Sequence, residues 1–229
     1  MNNWMRVTAV AAAVGLTACT ADDPNRRAKT GAAVGGIAGA VIGNQVQHST
    51  RGRVVGAAVG AIAGGAIGHQ MDKQQQEMEQ ALAEERRRNE LEVQRMRDES
   101  LKIDISNEVS FDFDSARLKP AFLDTLDKVA GVLKRYPRSV VHVVGHTDAT
   151  GAADYNRDLS RRRAEAVADY LARQGISRDR LRTEGRGESE PRATNETEAG
   201  RQLNRRVELY VKPVVEGQER QAYEPPPPS

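Results

Sequence analysis

The C-terminal half of the chain is predicted to form an α+β domain in which helices cover one face of a mixed sheet. Three observations support this. Residues 101–111, LKIDISNEVSF, alternate as a strand does. Helical patterns follow at 121–136 and 154–174, and the apolar stretch SVVHVVGH (139–146) lies between them. The order βαβαβ over 101–213 indicates a two-layer fold.

The ends of these elements can also be assigned from the sequence. Pro137 stops the first helix, and Gly175 takes the C-cap position after the second. The later segments RLRTEGRG, ETEAGRQLN and RRVELYVKP predict a strand, a short helix and a closing strand. The tail at 214–229 contains four consecutive prolines and is predicted to be disordered.

Composition argues against several functional classes. The chain has 229 residues and a formal net charge of +2, which argues against a nucleic-acid binder. Its single cysteine excludes an intrachain disulfide and a cysteine-based metal site. The chain has no serine elbow or Walker loop. His142 and His146 share a strand face about 13 Å apart, too far for one metal. We therefore expect no enzyme, no metal and no cofactor, and we expect both histidines to be structural or solvent-facing.

The N-terminus has the layout of a secretory signal over 1–18, with Arg6, an apolar run and small residues before a cut. The sequence Leu16-Thr17-Ala18-Cys19 resembles the bacterial lipobox. That resemblance implies cleavage before Cys19 and acylation of this residue, followed by a lipidated linker at 19–30. Several acyl chains anchor a protein to a bilayer more firmly than one. Thr20, which follows the cysteine, is not an Asp; in the Gram-negative lipoproteins that the segment resembles, this implies export to the outer membrane.

A glycine-rich repeat occupies 31–70. GAAVGGIAGAVIGNQ and GAAVGAIAGGAIGHQ place glycines at four-residue spacing, so they form one stripe along a helix. We interpret it as a helical hairpin near the membrane through which copies could associate, with a flexible linker as the alternative. The segment resembles the glycine zippers of bacterial envelope lipoproteins. Residues 71–100 are rich in Gln, Glu and Arg and predict a charged helical spacer about 45 Å long.

Asp148 and Arg163 are the candidate functional pair. Asp148 follows the apolar strand, and Arg163 lies near the centre of the apolar arc that Val167 and Leu171 share on the next helix. A charged group aimed at a core needs a partner or a ligand. The pair forms either a structural salt bridge or a site in which Asp148 binds an ammonium and Arg163 a carboxylate.

Six segments carry a family resemblance. In chain order they are NEVSFDFDSARLKP, GHTDATG, YNRDLSRRRAEAV, LARQGI, TEGRGESEP and GRQLNRRVEL. Together, over about 103–212, they resemble the peptidoglycan-binding domain of the outer-membrane protein A (OmpA) family. With the lipobox and the glycine repeat, the chain is similar to the small glycine-zipper lipoproteins of that family, the YiaD-like group.

The resemblance implies that Asp148 and Arg163 bind the diaminopimelate residue of the peptidoglycan stem peptide. It also carries over further positions of the site: Phe113, Asp114, Asn156, Leu159 and Arg205. For Asp114 and Asn156 a loop or helix cap is an equal alternative. For Arg205 we favour a structural pair with an acidic neighbour.

These expectations describe a non-enzymatic lipoprotein of the outer membrane. Cys19 would hold it in the lipid, the domain would face the periplasm, and binding to peptidoglycan would tether the membrane to the wall. A glycine-zipper factor that assists outer-membrane assembly is the main alternative. A stator-like motor component is less favoured, because the apolar segments are short and carry no acidic residue.

Overall fold

The computed structural model describes residues 67–112 and 114–228. Five strands form one sheet in the order β1-β2-β5-β3-β4, in which only β3 and β4 pair in parallel. The mixed sheet and the α+β class confirm the prediction. The elements are α1 (67–81), α2 (Ala83–Arg87), β1 (Leu91–Arg95), β2 (Leu101–Ser106), α3 (Asn107–Ser110), α4 (Pro120–Arg135), β3 (Ser139–His146), α5 (Ala153–Arg173), a 3-10 turn (Arg178–Arg180), β4 (Leu181–Gly187), α6 (Glu198–Asn204), β5 (Arg206–Pro213) and α7 (Glu219–Tyr223).

The helices α4 and α5 match the two predicted helices. Pro120 lies in the first turn of α4, where its missing N–H costs no hydrogen bond, and the helix ends just before Pro137. Gly175, with φ of +93°, follows the end of α5 in the left-handed conformation of a C-cap. Both helices turn their apolar residues toward the sheet, so the start and stop signals in the sequence were sufficient here.

The front face of the sheet carries the hydrophobic core. Residues paired across neighbouring strands share a face, as Ile103, Leu209 and Val143 do. All three are fully buried in one apolar cluster with the inward residues of the helices. The helix residues in that cluster include Phe122, Leu126, Val129 and Leu133 of α4 and Val167 and Leu171 of α5.

The rear face of the sheet is polar and also buried. Glu208 of β5 has no exposed surface. Its carboxylate accepts hydrogen bonds from Lys102, Arg206 and Tyr210, each at 2.7 Å, and His146 Nε2 lies 3.6 Å away. Burial raises the pKa of Glu208, but its cationic neighbours outweigh burial and hold the pKa well below its ordinary value. The charges on this face are therefore mutually compensated.

The predicted alternatives for the two histidines are resolved by this face. His142 and His146 are both buried, so they are structural and not solvent-facing. Burial lowers the pKa of each, which favours the neutral ring. Within 67–112 and 114–228, no group of His, Cys, Asp and Glu side chains could hold a metal ion.

The close approach of α5 to the sheet depends on two glycines. A Cβ built on Gly145 of β3 would lie 2.2 Å from the carbonyl oxygen of Ser160. A Cβ on Gly185 of β4 would lie 2.4 Å from the backbone nitrogen of Arg161. The helix backbone therefore rests directly on both strands, and this contact fixes the position of the next residue pointing inward, Arg163.

The predicted charged helical spacer at 71–100 is helical up to Arg87, but its role as a spacer is wrong, and Leu91–Arg95 is a strand. Met71, Met78 and Leu82 are seven and four residues apart and are buried in the domain core. At helical spacing they lie on one face, so few apolar residues suffice to dock α1. Asn89 then adopts a positive φ of 55°, which ends the helical region, and β1 adds an edge strand to the sheet. The domain accordingly begins upstream of residue 101.

The predicted disorder of the tail at 214–229 is also wrong for the part that the structure describes. α7 forms at Glu219–Tyr223, and Ala222 and Pro226 are buried. Lys212, His142 and Arg186 hydrogen-bond main-chain carbonyls of this segment. Composition alone missed this, because the segment is held by donors on the sheet and not by an apolar core of its own.

Several predictions lie outside the described residues: the signal at 1–18, Cys19 with its linker, Phe113, and all but the last four residues of the glycine repeat. Among the helices that the structure describes, none is both long and apolar enough to cross a membrane.

We predict that Leu82→Ala lowers the free energy of unfolding by about 2–5 kcal/mol, because it leaves a cavity where α1 docks. Urea denaturation of the purified protein measures this. Gln80→Ala, at an exposed position in the last turn of α1 just before Leu82, is the control and should change stability by less than about 0.5 kcal/mol. Equal effects of the two variants would contradict the docked position of α1.

We predict that Gly145→Ala lowers the free energy of unfolding by about 1–3 kcal/mol, because the added methyl collides with the backbone of α5. Gly131→Ala is the matched control: nothing lies within 4 Å of its Cβ, and it should stabilise α4 by about 0.5–1 kcal/mol. Thermal denaturation of both variants measures the direction of each change in stability. If Gly145→Ala leaves stability unchanged, the close backbone contact is excluded.

We predict that Glu208→Gln lowers the free energy of unfolding by about 3–5 kcal/mol at neutral pH, because it leaves buried cations without their carboxylate. The folded-state pKa of Glu208 is depressed, so its contribution is present above its ordinary pKa of about 4.3 and is lost as pH falls through the folded value. The free energy of unfolding should therefore fall less steeply with decreasing pH in Glu208→Gln than in the wild type. An unchanged acid limb would argue against this role.

Candidate functional site

A cavity of about 870 Å³ opens where β3 ends, between the N-terminal half of α5 and the helices α3 and α6. It contains every predicted site residue that the structure describes: Asp114, Asp148, Asn156, Leu159 and Arg163, together with Arg205. The structure therefore brings these predicted residues together around one cavity. Its remaining lining residues are Asn107, Glu108, Phe111, Lys119, Thr147, Thr150, Tyr155, Glu198 and Arg201.

Asp148 lies two residues beyond β3 and is 7% exposed. One carboxylate oxygen accepts a hydrogen bond from the backbone N–H of Thr150 at 2.9 Å, and the other accepts from Arg205 Nη1 at 2.6 Å. Burial raises the pKa of Asp148, but these hydrogen bonds outweigh burial and hold the pKa below its ordinary value. The group is thus an anion throughout the neutral range.

Arg163 is 3% exposed and points into the cavity from α5. Its Nε donates to the carbonyl of Ser115 at 2.9 Å, and its guanidinium carbon lies 5.3 Å from the centroid of the Phe111 ring. Neither terminal nitrogen has a hydrogen-bond partner among the described residues. Burial lowers the pKa of Arg163 to about 10, so the side chain stays charged at neutral pH. Arg163 is therefore a buried cation whose terminal N–H groups can donate to an anion.

Asp148 and Arg163 form no salt bridge with each other, which answers the question left open by the sequence. The partner of Asp148 is Arg205, whose other terminal nitrogen donates to Glu198 at 2.8 Å and lies 3.9 Å from Glu108. The expected structural pairing of Arg205 with an acidic neighbour is confirmed. Asp148 thus pairs with Arg205, and Arg163 forms no salt bridge with any of the described residues.

Asn156 is a buried connector between α5 and two loops. Its amide donates to the carbonyls of Asp148 at 3.3 Å and Thr150 at 3.1 Å, and to the Glu188 carboxylate at 2.6 Å. These bonds hold the Asp148 loop against the helix, so the loop interpretation of Asn156 is the one its contacts favour. Leu159, 5% exposed, forms an apolar part of the wall.

Asp114 and Phe111 form the opposite wall. Asp114 has a positive φ of 49° and accepts a hydrogen bond from the hydroxyl of Tyr155 at 2.5 Å. The aromatic ring that contacts Arg163 belongs to Phe111, which is not among the residues predicted from the sequence; Phe113 lies outside the described residues. The segment VSFDFD places its phenylalanines two apart, so alternation alone could not separate their roles.

Two further polar residues of the cavity wall were missed. Thr147 Oγ1 and Asn107 Oδ1 are buried without a hydrogen-bond partner among the described residues. An unsatisfied buried acceptor costs free energy unless something binds it. Thr147 directly precedes Asp148, but the sequence gives no sign that Asn107, forty residues away, joins it at this cavity. Only the pairing of β2 with β5 brings α3 there.

The arrangement suits a small ligand that carries both charges. A carboxylate can take two parallel hydrogen bonds from the free edge of Arg163. The carboxylates of Asp148 and Asp114 lie in the same cavity and can receive an ammonium group. A purely anionic ligand would meet these acids, and a purely cationic one would meet Arg163, so the site favours a zwitterionic end group.

Comparison with known proteins gives two family matches. The profile of the OmpA family matches residues 110–205, which include most of the cavity wall. The profile of the YMGG-like Gly-zipper family matches residues 1–72. The second match covers the repeat and ends within α1.

Two curated proteins are each similar to slightly less than half of the chain. The chain is 47% identical over 112 residues to "Probable lipoprotein YiaD" of Escherichia coli K12, covering 49% of this chain and 51% of that protein. It is 44% identical over 103 residues to "Peptidoglycan-binding protein ArfA" of Mycobacterium tuberculosis, covering 45% of this chain and 32% of that protein. The match thus spans about half or less of these relatives.

A solved structure supports the same assignment. The cell wall anchor of the T6SS from Pseudomonas aeruginosa superposes with a TM-score of 0.54 at 31% identity, covering 59% of this chain and 96% of that structure. The fold, the family profile and the sequence identity agree. The described domain therefore belongs to the OmpA family, and in this chain it follows a YMGG-like Gly-zipper segment.

Proposed function

We propose that this protein binds peptidoglycan non-covalently by taking the free end of a diaminopimelate side chain into the cavity. The observation that carries the proposal is Arg163: a buried guanidinium whose terminal nitrogens have no partner among the described residues, in the same cavity as Asp148. Diaminopimelate in a stem peptide ends in an ammonium and a carboxylate on one carbon. The charges of the cavity complement both groups.

Binding in this scheme requires a small exchange of partners. The ligand carboxylate binds Arg163, and the ligand ammonium approaches Asp148, which Arg205 holds at 2.6 Å. Arg205 can keep Glu198 at 2.8 Å while it yields part of Asp148 to the ligand. Asp148 and Glu198 each keep a cationic partner before and after the ligand binds, so the exchange leaves no charge uncompensated.

The names of the relatives support the wall as the target. One is called a peptidoglycan-binding protein, and another solved relative is a cell wall anchor. We propose that a lipid on Cys19 fixes this chain in the outer membrane, so that the domain tethers membrane to wall from the periplasmic side. The names "lipoprotein" and "Outer membrane protein A" among the relatives agree with that location.

We further propose that the protein is a binder and not an enzyme. The polar groups of the cavity are arranged to hold charge: Arg163 stays protonated and Asp148 stays ionised near neutral pH. Neither is poised near neutrality, as an acid or base that moves protons would be.

A second candidate function follows from the YMGG-like match over residues 1–72. Glycine stripes let helices associate closely, so this segment could assist outer-membrane assembly while the domain holds the wall. Co-purification of outer-membrane proteins that depends on the glycines, and not on Arg163, would favour it.

We predict that Arg163→Ala and Asp148→Asn each weaken binding to diaminopimelate-type peptidoglycan by about tenfold or more, because each removes a charge-assisted contact. Co-sedimentation of the detergent-solubilised full chain with purified sacculi measures this. Arg162→Ala is the matched control, since Arg162 is exposed and pairs with Asp158 at 2.8 Å. It should bind as the wild type does.

Two further arms identify the ligand. Free diaminopimelate should compete with the sacculi, and lysine-type peptidoglycan, which lacks the second carboxylate, should bind more weakly. Binding should be nearly constant between about pH 5 and pH 9, because neither charged group titrates there. If the folded wild-type chain does not sediment with sacculi, or if Arg162→Ala loses as much binding as Arg163→Ala, the proposal fails.

A further inference from the structure

The rear face of the sheet carries a second binding feature, which we name the tail groove. It is formed by four basic side chains on adjacent strands: His142 of β3, Arg182 and Arg186 of β4, and Lys212 of β5. Residues 219–228 of the same chain lie in it. The groove is on the opposite side of the sheet from the core helices, and none of its residues lines the cavity of the proposed wall-binding site.

The groove holds this segment through its main-chain carbonyls. His142 Nε2 donates to the carbonyl of Ala222 at 2.7 Å, and Lys212 Nζ to that of Glu224 at 2.9 Å. The guanidinium of Arg186 donates to the carbonyls of Pro226 at 2.7 Å and Pro227 at 3.2 Å. These donors lie on β3, β4 and β5, and each of these hydrogen bonds goes to the main chain of the tail and not to one of its side chains.

Arg186 is built to make these two contacts. Its remaining donors go to Glu184 at 3.0 Å and Glu190 at 2.9 Å, which fix the plane of the guanidinium. The residue is 8% exposed. A buried arginine of fixed orientation that donates two hydrogen bonds to proline carbonyls can recognise a peptide backbone, which a solvated surface arginine does not.

A side chain of the tail also contacts the groove. The ring of Tyr223 lies 4.9 Å from the guanidinium carbon of Arg182, a cation–π contact, and Ala222 beside it is 2% exposed. Tyr223 stands two residues before the first of four prolines. A proline run has no N–H groups to satisfy and is already extended, so its carbonyls are available at low entropic cost.

We propose that the tail groove is a recognition site for proline-rich segments that carry an aromatic residue two positions before the first proline, and that the chain's own C-terminus is its tethered occupant. The groove would accept the same chemistry from another chain once the tail leaves. Its basic donors select carbonyl-rich, donor-poor backbones, which is the chemistry of a polyproline helix.

The test supplies the segment in trans. A chain that ends at Val215 should bind a fluorescein-labelled peptide of residues 216–229, measured by fluorescence anisotropy, with saturable affinity. The full chain should bind it at least tenfold more weakly, because its own tail fills the groove at high effective concentration. In the truncated chain Arg186→Gln should weaken binding by about tenfold, and Tyr223→Ala in the peptide should weaken it as well.

Arg178→Gln is the matched control, because Arg178 is exposed and pairs with Asp169 away from the groove. It should leave peptide binding unchanged. If the truncated chain keeps its native circular dichroism but does not bind the peptide, the tail is only a structural strap and the proposal is overturned. Equal binding by the full and truncated chains would overturn it too, since the peptide would then be bound elsewhere.

A second measurement applies if truncation unfolds the domain. Unlabelled peptide at about 10 mM should then compete with the tethered tail of the intact chain. The amide of Glu224, which is bonded to the carbonyl of Arg220 at 3.2 Å, should exchange its hydrogen several-fold faster. Exchange that does not respond to the peptide would exclude an exchangeable site.

Discussion

The contact between α5 and the two glycines of the sheet is the constraint on which the site depends. Gly145 and Gly185 let the helix backbone touch β3 and β4. With α5 held at that distance, Arg163 cannot reach solvent along the helix surface and must enter the space beside Phe111. A longer separation would let the arginine solvate itself. Because Gly145 and Gly185 have no side chains, α5 lies close to the sheet, and Arg163 is a buried cation rather than a surface residue.

The two buried charge clusters of the domain differ in one respect that separates structure from function. On the rear face, Glu208 is surrounded by Lys102, Arg206 and a tyrosine hydroxyl, so its charge is compensated within the fold. In the cavity, Asp148 pairs with Arg205, and Arg163 forms no salt bridge among the described residues. Both clusters pay a cost of desolvation. In the part of the chain that the structure describes, the Glu208 carboxylate has cationic partners, whereas the terminal nitrogens of Arg163 have no hydrogen-bond partner. Burial alone therefore does not identify a binding site.

Much of the fold and the centre of the site could be predicted from the sequence, because strong periodicity and clear stop signals mark α4, α5 and β3. The inward direction of Arg163 followed from helical spacing alone. Three features could not be predicted. The apolar residues of α1 are too sparse to stand out until the core that receives them is known. The tail is held by His142 and Arg186, which are distant in sequence. The choice of Arg205 over Arg163 as the partner of Asp148 depends on side-chain geometry.

The position of β5 has a consequence for when the domain can form. This strand is the last in the chain, yet it lies at the centre of the sheet, between β2 and β3. Without it, the β1–β2 ladder and the β3–β4 ladder are not joined by any strand pairing, and Glu208 is missing from its cluster. Such non-local pairing makes folding slow and all-or-none. A chain that emerges N-terminus first therefore cannot complete this sheet until β5 has also appeared.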